Sequence, residues 1–272
     1  MNENSADFAV AAAELGVPLQ SDQIAAFEAY AALLLEWNER FNLLGPAAAA
    51  ALWSRHFLDA LTVVRGLPAQ VDDNPTRVLD VGTGAGIPGI PMQIAFPQWE
   101  VTLLEVTNKK VHFLELATRE LGLRHAQVAQ GRAEDLAHDA THREAYDLCV
   151  ARAVAHTSAL VELTLPFVAR GGYAILYKGM TALSEEIQDA EPARVILGAA
   201  APSVIPISMG GDDARSLVRY LKTSRTPSAL PRRAGVPEQR ALTATDGSRI
   251  AAAVQAARER RQKLRERPRR RT

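Results

Sequence analysis

The sequence predicts an α/β protein: a mostly parallel, seven-stranded sheet with an antiparallel edge hairpin, preceded by a small N-terminal helical subdomain. Three observations predict it. Short apolar, β-branched-rich runs alternate with amphipathic helical stretches from residue 77 onward, the pattern of βαβ units. Those runs are apolar almost without interruption, as burial on both faces requires. Before residue 70 the texture is helical only, and a turn-rich linker, GLPAQVDDNPT (66–76), separates the two regions.

Helices are expected over 5–16 and 21–42. In the second, Ile24, Phe27, Ala31, Leu34 and Leu35 recur at helical spacing, Ser21 or Asp22 is the candidate N-cap, and Gly16 closes the helix before it. A third helix is expected over 47–65. Strands follow at RVLDV (77–81), VTLLE (101–105), AQVAQ (126–130), YDLCVA (146–151) and GYAILYK (172–178), with helices over 90–96, 107–121, 156–168 and 180–190. SVIPISM (203–209), a GGDD turn (210–213) and ARSLVRYLK (214–222) read as the hairpin, and Pro206 places its strand at an edge or bulge. Residues 223–240 are a Pro- and Arg-rich loop, and 248–267 have the pattern of a marginal helix. The expected units are 1–70, helical; 71–242, α/β; and 243–272, a basic, flexible tail.

The 272 residues suffice for one substantial core, and 47% apolar with 23% charged residues is ordinary for a soluble globular chain. No window offers the roughly 18 apolar residues of a membrane span, and MNENSADFAV lacks the features of a secretory signal. The cytoplasm is the default location and a monomer the default state. Cys149 is the only cysteine, which excludes an internal disulfide or a cysteine metal cluster; mid-strand, it reads as a small buried apolar residue. The six histidines show no metal-ligand spacing, so no metal is expected.

A net charge of zero hides an asymmetry. Residues 258–271 hold nine Lys/Arg against two Glu, and 214–240 hold seven against one, leaving residues 1–213 strongly acidic. A polyanion would meet a basic C-terminal third, although a merely solubilising tail is the plainer reading.

The stretch LDVGTGAGIPGIP (79–91) carries the chemistry. Gly84, Gly86 and Gly89 spell GxGxxG with Glu105 21 positions after Gly84, a dinucleotide pattern by count. Gly82, Gly84 and Gly86 spell DxGxGxG with Asp80 at the strand end. Placement favours the second. The strand ends at Val81, so the dinucleotide register starts two residues late, and Pro88 and Pro91 delay the helix whose N-terminus a pyrophosphate needs. A Walker A ending is absent. The long loop, Gly82, Thr83, Gly84 and Gly86 included, suits a compact cationic group, and an acid at the strand end would repel a pyrophosphate. S-adenosyl-L-methionine, with its sulfonium, fits, and Glu105 could accept both ribose hydroxyls. A structural turn with a solvated Glu is the alternative.

GRAED (131–135) follows the third strand, where backbone at Ala133 and Glu134 could meet an adenine edge, or form a plain surface turn. ARAVA (151–155) places Arg152 between cofactor and substrate by position; its fork suits the cofactor carboxylate, a phosphate, a base edge, or a salt bridge to the acidic body. Lys178, in YKG, is the matching cation across the crevice.

On these residues the sequence resembles the bacterial small-subunit 16S rRNA guanine-N7 methyltransferases, the RsmG family, formerly GidB. The likeness runs through LLEWNERFNLL (34–44), RHFLDAL (55–61), LDVGTGAGIPGIP, LLEVTNKKVHFLELATRELGL (103–123), GRAED, ARAVA, YKG and PRRAGVPEQRAL (231–242). It departs at Glu238 and Gln239, where the family is often Lys-rich, and in the Arg-rich extension after about 243. The resemblance implies a Rossmann-like methyltransferase fold and S-adenosylmethionine-dependent methylation of N7 of one guanine in the 530 loop of 16S rRNA. It implies cofactor contacts at Gly82, Ile87, Ala133, Glu134 and Arg152, and a partner in 16S rRNA or the small ribosomal subunit. Guanine N7 has a free lone pair, so no general base is required, and Arg152 and Lys178 are the candidate positioning residues. RNA grip is expected from Lys109, Lys110, Arg232, Arg233 and the tail, with Arg40, Arg55 and His56 as further candidates; a solvated pair is the plainer reading of Lys109 and Lys110. A methyltransferase for a small molecule or protein, a cofactor-binding RNA assembly factor without turnover, and a dehydrogenase are the competing functions.

Overall fold

A computed structural model describes residues 3–45, 49–68, 76–152, 155–208 and 215–265. The expected GGDD turn (210–213), most of the 66–76 linker, two residues of ARAVA (153–154) and the tail beyond 265 lie outside the described residues.

Strands β1 (Arg77–Val81), β2 (Glu100–Glu105), β3 (Ala126–Gln130), β4 (Tyr146–Arg152), β5 (Val168–Gly179), β6 (Ser203–Ile207) and β7 (Arg215–Leu221) form one sheet in the order β3-β2-β1-β4-β5-β7-β6. The first five run parallel; β7 is antiparallel to both β5 and β6. This is the expected fold, with Pro206 on the edge strand. The chain order reverses between β1 and β4, so the crevice for a ligand opens at their carboxyl ends.

Period-two alternation divides the core between the two faces. Val78, Val101, Leu103, Leu148, Val150, Ile175 and Leu217 face one side, with Phe8 of α1 (Glu3–Glu14), Phe27 and Tyr30 of α2 (Ser21–Phe41), and Leu52 and Phe57 of a π-wound α3 (Leu52–Leu58). Two short helices, α4 (Asp59–Leu61) and α5 (Val63–Gly66), lead to β1, and α6 (Gly89–Ala95) and α7 (Asn108–Glu120) complete this layer. The N-terminal helices therefore share one core with the sheet. Leu79, Val81, Leu104, Cys149, Ala151, Ala174, Leu176 and Val218 face the other side, covered by α8 (Ala133–Leu136), α9 (Thr157–Thr164) and α10 (Leu183–Ile196). The C-terminal segment adds α11 (Val236–Gln239) and α12 (Ala244–Arg265), the latter starting four residues before the expected 248.

Several boundaries differ from expectation for identifiable reasons. Gln20, neither Ser21 nor Asp22, caps α2: it is extended and exchanges side-chain and backbone hydrogen bonds with Gln23, a reciprocal box. The expected 47–65 helix breaks at Thr62, whose hydroxyl and N–H both bond to the Asp59 carbonyl in place of the next helical turn. Helix α9 stops at Thr164, with Leu165 still helical in backbone, because Pro166 has no N–H to carry the ladder further, and β5 starts at Val168 instead of 172. Helix α10 continues through Pro192 to Ile196.

Candidate active site

The glycine turn leaves β1 and immediately becomes left-handed: φ is +70° at Gly82, +62° at Gly84 and +92° at Gly86. At Gly86 a Cβ would also stand 2.5 Å from Ile90 Cδ1 and 3.0 Å from the Tyr30 hydroxyl, so only glycine fits. The turn consumes its own donors. Gly82 and Thr83 give their N–H groups to the Leu104 carbonyl, Gly86 and Ile87 to the Thr83 carbonyl, and Gly84 to Glu105 Oε2. A pyrophosphate needs free N–H groups; this loop offers none at those five positions, whereas the Gly82 and Gly84 carbonyls receive none of the loop's hydrogen bonds and suit a cation.

Asp80 does not face the ligand crevice. It is fully buried; its Oδ2 accepts from the Thr83 hydroxyl at 2.5 Å and the Gly89 N–H at 2.8 Å, while Oδ1 has no partner. Burial pushes its carboxyl up to about 6 despite those hydrogen bonds. Its work is to brace both ends of the loop, so the acid at the strand end acts on the ligand site indirectly, through the loop it holds. A Cβ at Gly89 would fall 2.3 Å from Leu103 Cδ2 and 2.9 Å from Asp80 Oδ2, which explains the fourth glycine. Tyr30 adds a third brace, donating to the Ala85 carbonyl at 2.6 Å.

Two cavities lie along the carboxyl ends of the strands. The first includes Gly82, Glu105, Val106, Ala133, Glu134 and Glu238 in its lining, at the ends of β1, β2 and β3. Four of the expected cofactor residues thus meet there. Glu105 is buried, and its carboxylate takes three backbone donors: Val106 and Thr107 N–H at 2.9 Å on Oε1, and Gly84 N–H at 3.1 Å on Oε2. A carboxylate offers about four acceptor sites, so Oε2 can take one ribose hydroxyl, not the expected two, unless the Gly84 bond yields. Glu134 is also committed: its Oε1 accepts the Gly235 N–H at 2.7 Å, docking the C-terminal segment as a wall of this cavity. Thr83, Gly84, Gly86 and Ile87 are not in the lining; the Ile87 side chain is buried in the core.

The second cavity, about 260 Å³, is lined by His56, Arg152, Ala155, Tyr177, Lys178, Gly179 and Arg215. It brings Arg152 and Lys178 together as expected, and adds Arg215, which sequence reading missed because β5–β7 pairing, registering Gly179 with Arg215, delivers it from 36 residues away. Arg152 is nevertheless held from behind. Its Nη1 pairs with the buried Asp59 at 2.9 Å and reaches the Arg55 carbonyl at 3.3 Å, and its Nη2 contacts His56 Nδ1. Burial and the Arg152 charge push the His56 imidazole down to about 4, so it is neutral at pH 7. Lys178 Nζ pairs with Glu186 at 2.5 Å. Arg215 Nε is buried without a hydrogen-bond partner. Three cations against two carboxylates leave the cavity positive.

Two expectations about basic residues are resolved differently. Arg233, Lys109 and the half-buried Lys110 are accessible. Arg232, expected to grip RNA, turns inward: its Nε and Nη2 fork onto the buried Glu162 at 3.0 and 2.6 Å, and Nη2 also bonds to the Arg240 carbonyl at 2.6 Å. Opposite charge buried in α9 attracts it more strongly than screened solvent. Cys149 is buried in β4 and its thiol is raised by burial, in keeping with a packing role. Among the described residues, no helix is long and apolar enough to cross a membrane.

Comparison with known proteins bears on this geometry. The model of the family described as rRNA small subunit methyltransferase G matches residues 23–213. Proteins named ribosomal RNA small subunit methyltransferase G are similar over most of the chain. The one from Moorella thermoacetica is 41% identical over 233 residues, 84% of this chain and 94% of that relative. The one from Alkaliphilus metalliredigens is 40% identical over 230 residues, 84% and 95%. The one from Lactococcus lactis strain IL1403 is 37% identical over 231 residues, 85% and 96%. The chain belongs to the rRNA small subunit methyltransferase G family.

Proposed function

We propose that this protein methylates N7 of a guanine in the 530 loop of 16S rRNA, acting in the cytoplasm with S-adenosyl-L-methionine as methyl donor. The observation that supports it best is a rim carrying two unlike cavities, one acidic and one cationic, on a chain of this family. The donor fits the residues present: the Gly82 and Gly84 carbonyls for its cationic end, the free acceptor site on Glu105 Oε2 for a ribose hydroxyl, and the first-turn N–H groups of Ala133 and Glu134, which lack intrahelical partners, for the adenine edge. When bound it supplies a methyl on a positive sulfonium, which the N7 lone pair can take in line without loss of a proton.

The chain then needs to position, not to deprotonate. Arg152, Lys178 and Arg215 suit guanine O6 or the nucleotide phosphate, which leaves N7 free. Asp59 fixes the Arg152 fork, and neutral His56 adds no further charge where the base becomes cationic. Transfer of labelled methyl to isolated small subunits, followed by mapping of the modified nucleotide, tests the reading. N7-methylguanine in the 530 loop is the expected product. Label in protein or small molecules with none in 16S rRNA overturns it.

A further inference from the structure

We propose that the exposed ring of Phe41, with Lys109 over it, is a stacking platform for an unpaired base of the substrate RNA beside the methylation site. The proposal rests on the rRNA reading above. Phe41 ends α2 and is 40% exposed, although it is a large apolar side chain. Lys109 Nζ lies 5.6 Å from its ring centroid. Phe41 also leans on Trp37, centroids 5.2 Å apart, and Trp37 in turn contacts exposed His112 at 5.8 Å and the fully buried Phe113 at 5.6 Å. The aromatic group is thus rooted in the core through Phe113 and leaves Phe41 partly open to solvent, beside the mobile head of a lysine.

Its charge points to the occupant. Lys109 and Lys110 stand in the first turn of α7, where the helix dipole disfavours cations and no acidic residue accompanies them. Neither makes an ion pair among the described residues, so both remain available to phosphate. Position agrees: α7 opens directly after Glu105 and Val106, which line the cofactor cavity. A flat aromatic face with adjacent cations is how proteins hold unpaired nucleotides without reading their sequence. A protein partner of the same face would more readily use an apolar rim than paired lysines.

Single-turnover methyl transfer at saturating donor, titrated with small subunits, tests this with Phe41→Ala, Phe41→Trp and Lys109→Ala. Phe41→Ala should raise the half-saturating subunit concentration about tenfold, with donor affinity by calorimetry unaltered. Phe41→Trp should restore it, and Lys109→Ala should lower the salt slope of binding by about one. Unchanged half-saturation, failure of Trp to rescue, or a parallel loss of donor affinity overturns the platform. So does a loss of self-association in Phe41→Ala without a change in half-saturation, which would assign the face to a second copy. Absence of transfer by the unmodified protein instead refutes the rRNA reading.

Discussion

Asp80→Asn isolates the brace under the glycine loop. In the folded protein the carboxyl titrates near 6, against about 3.8 for a free aspartate, because burial outweighs the bonds from Thr83 and Gly89. The folded state therefore holds this proton more tightly than the unfolded chain does. The group's contribution to stability is fully present below pH 4, declines as pH rises from about 4 to 6, and is flat above that. Two pH units correspond to about 3 kcal/mol. Asparagine keeps an oxygen for Thr83 and Gly89 but never ionises. Urea unfolding of both proteins between pH 4 and 7.5 should show the variant gaining about 2–3 kcal/mol relative to the parent as pH rises, with the difference constant above pH 6.5. Taking the difference removes other carboxylates from the comparison. A constant difference across the whole range, or one that falls with pH, would mean that Asp80 is well solvated or strongly paired, and that its role as an inward brace is wrong.

Three further outcomes follow from the same contacts. Arg232→Ala removes the counterion of buried Glu162 and leaves it only the backbone N–H of residue 232, so thermal or urea unfolding should show a loss of about 3 kcal/mol; full stability with weakened RNA binding would return Arg232 to the surface. The His56 imidazole should remain neutral by NMR until pH approaches 4, and a midpoint near 6.5 would show that the Arg152 guanidinium does not sit against it. Glu105→Gln replaces one of two acceptor oxygens with a donor facing backbone N–H groups, so calorimetric affinity for S-adenosyl-L-methionine should fall at least tenfold; undiminished affinity would remove the carboxylate from the cofactor site.

Much of the sheet was legible because its signal is local. RVLDV and AQVAQ coincide with β1 and β3, since a short apolar run bounded by turn formers marks a strand from local sequence alone. The glycine turn was legible in register and in what it refuses, because left-handed backbone and proline placement are written in the residues themselves. Helix ends were less so: Gln20 as a cap depends on Gln23, whose amide also reaches the Ile94 and Ala95 carbonyls across the fold. Arg232 shows the limit for charge. Its composition-level neighbourhood is basic, yet the residue that decides its direction is Glu162, 70 positions earlier.

The same limit explains why the substrate cavity was only half visible. Arg152 and Lys178 stand at the carboxyl ends of strands β4 and β5, so their place on the rim comes with the βαβ pattern. Arg215 and Asp59 arrive by routes that pattern cannot show: one through an antiparallel register, the other at the junction of the π-wound α3 with α4, which presents Arg55, His56 and Asp59 to one guanidinium. π-wound turns persist where a site requires their geometry. Here the requirement is physical: an arginine asked to meet an anion must not swing to the acid-rich body, and Asp59 holds its Nη1 while Arg215 and Lys178 remain to complete the charge. A positive cavity assembled from cations already held in place would lose little side-chain entropy when a nucleotide enters, which is what a catalyst acting only by position requires.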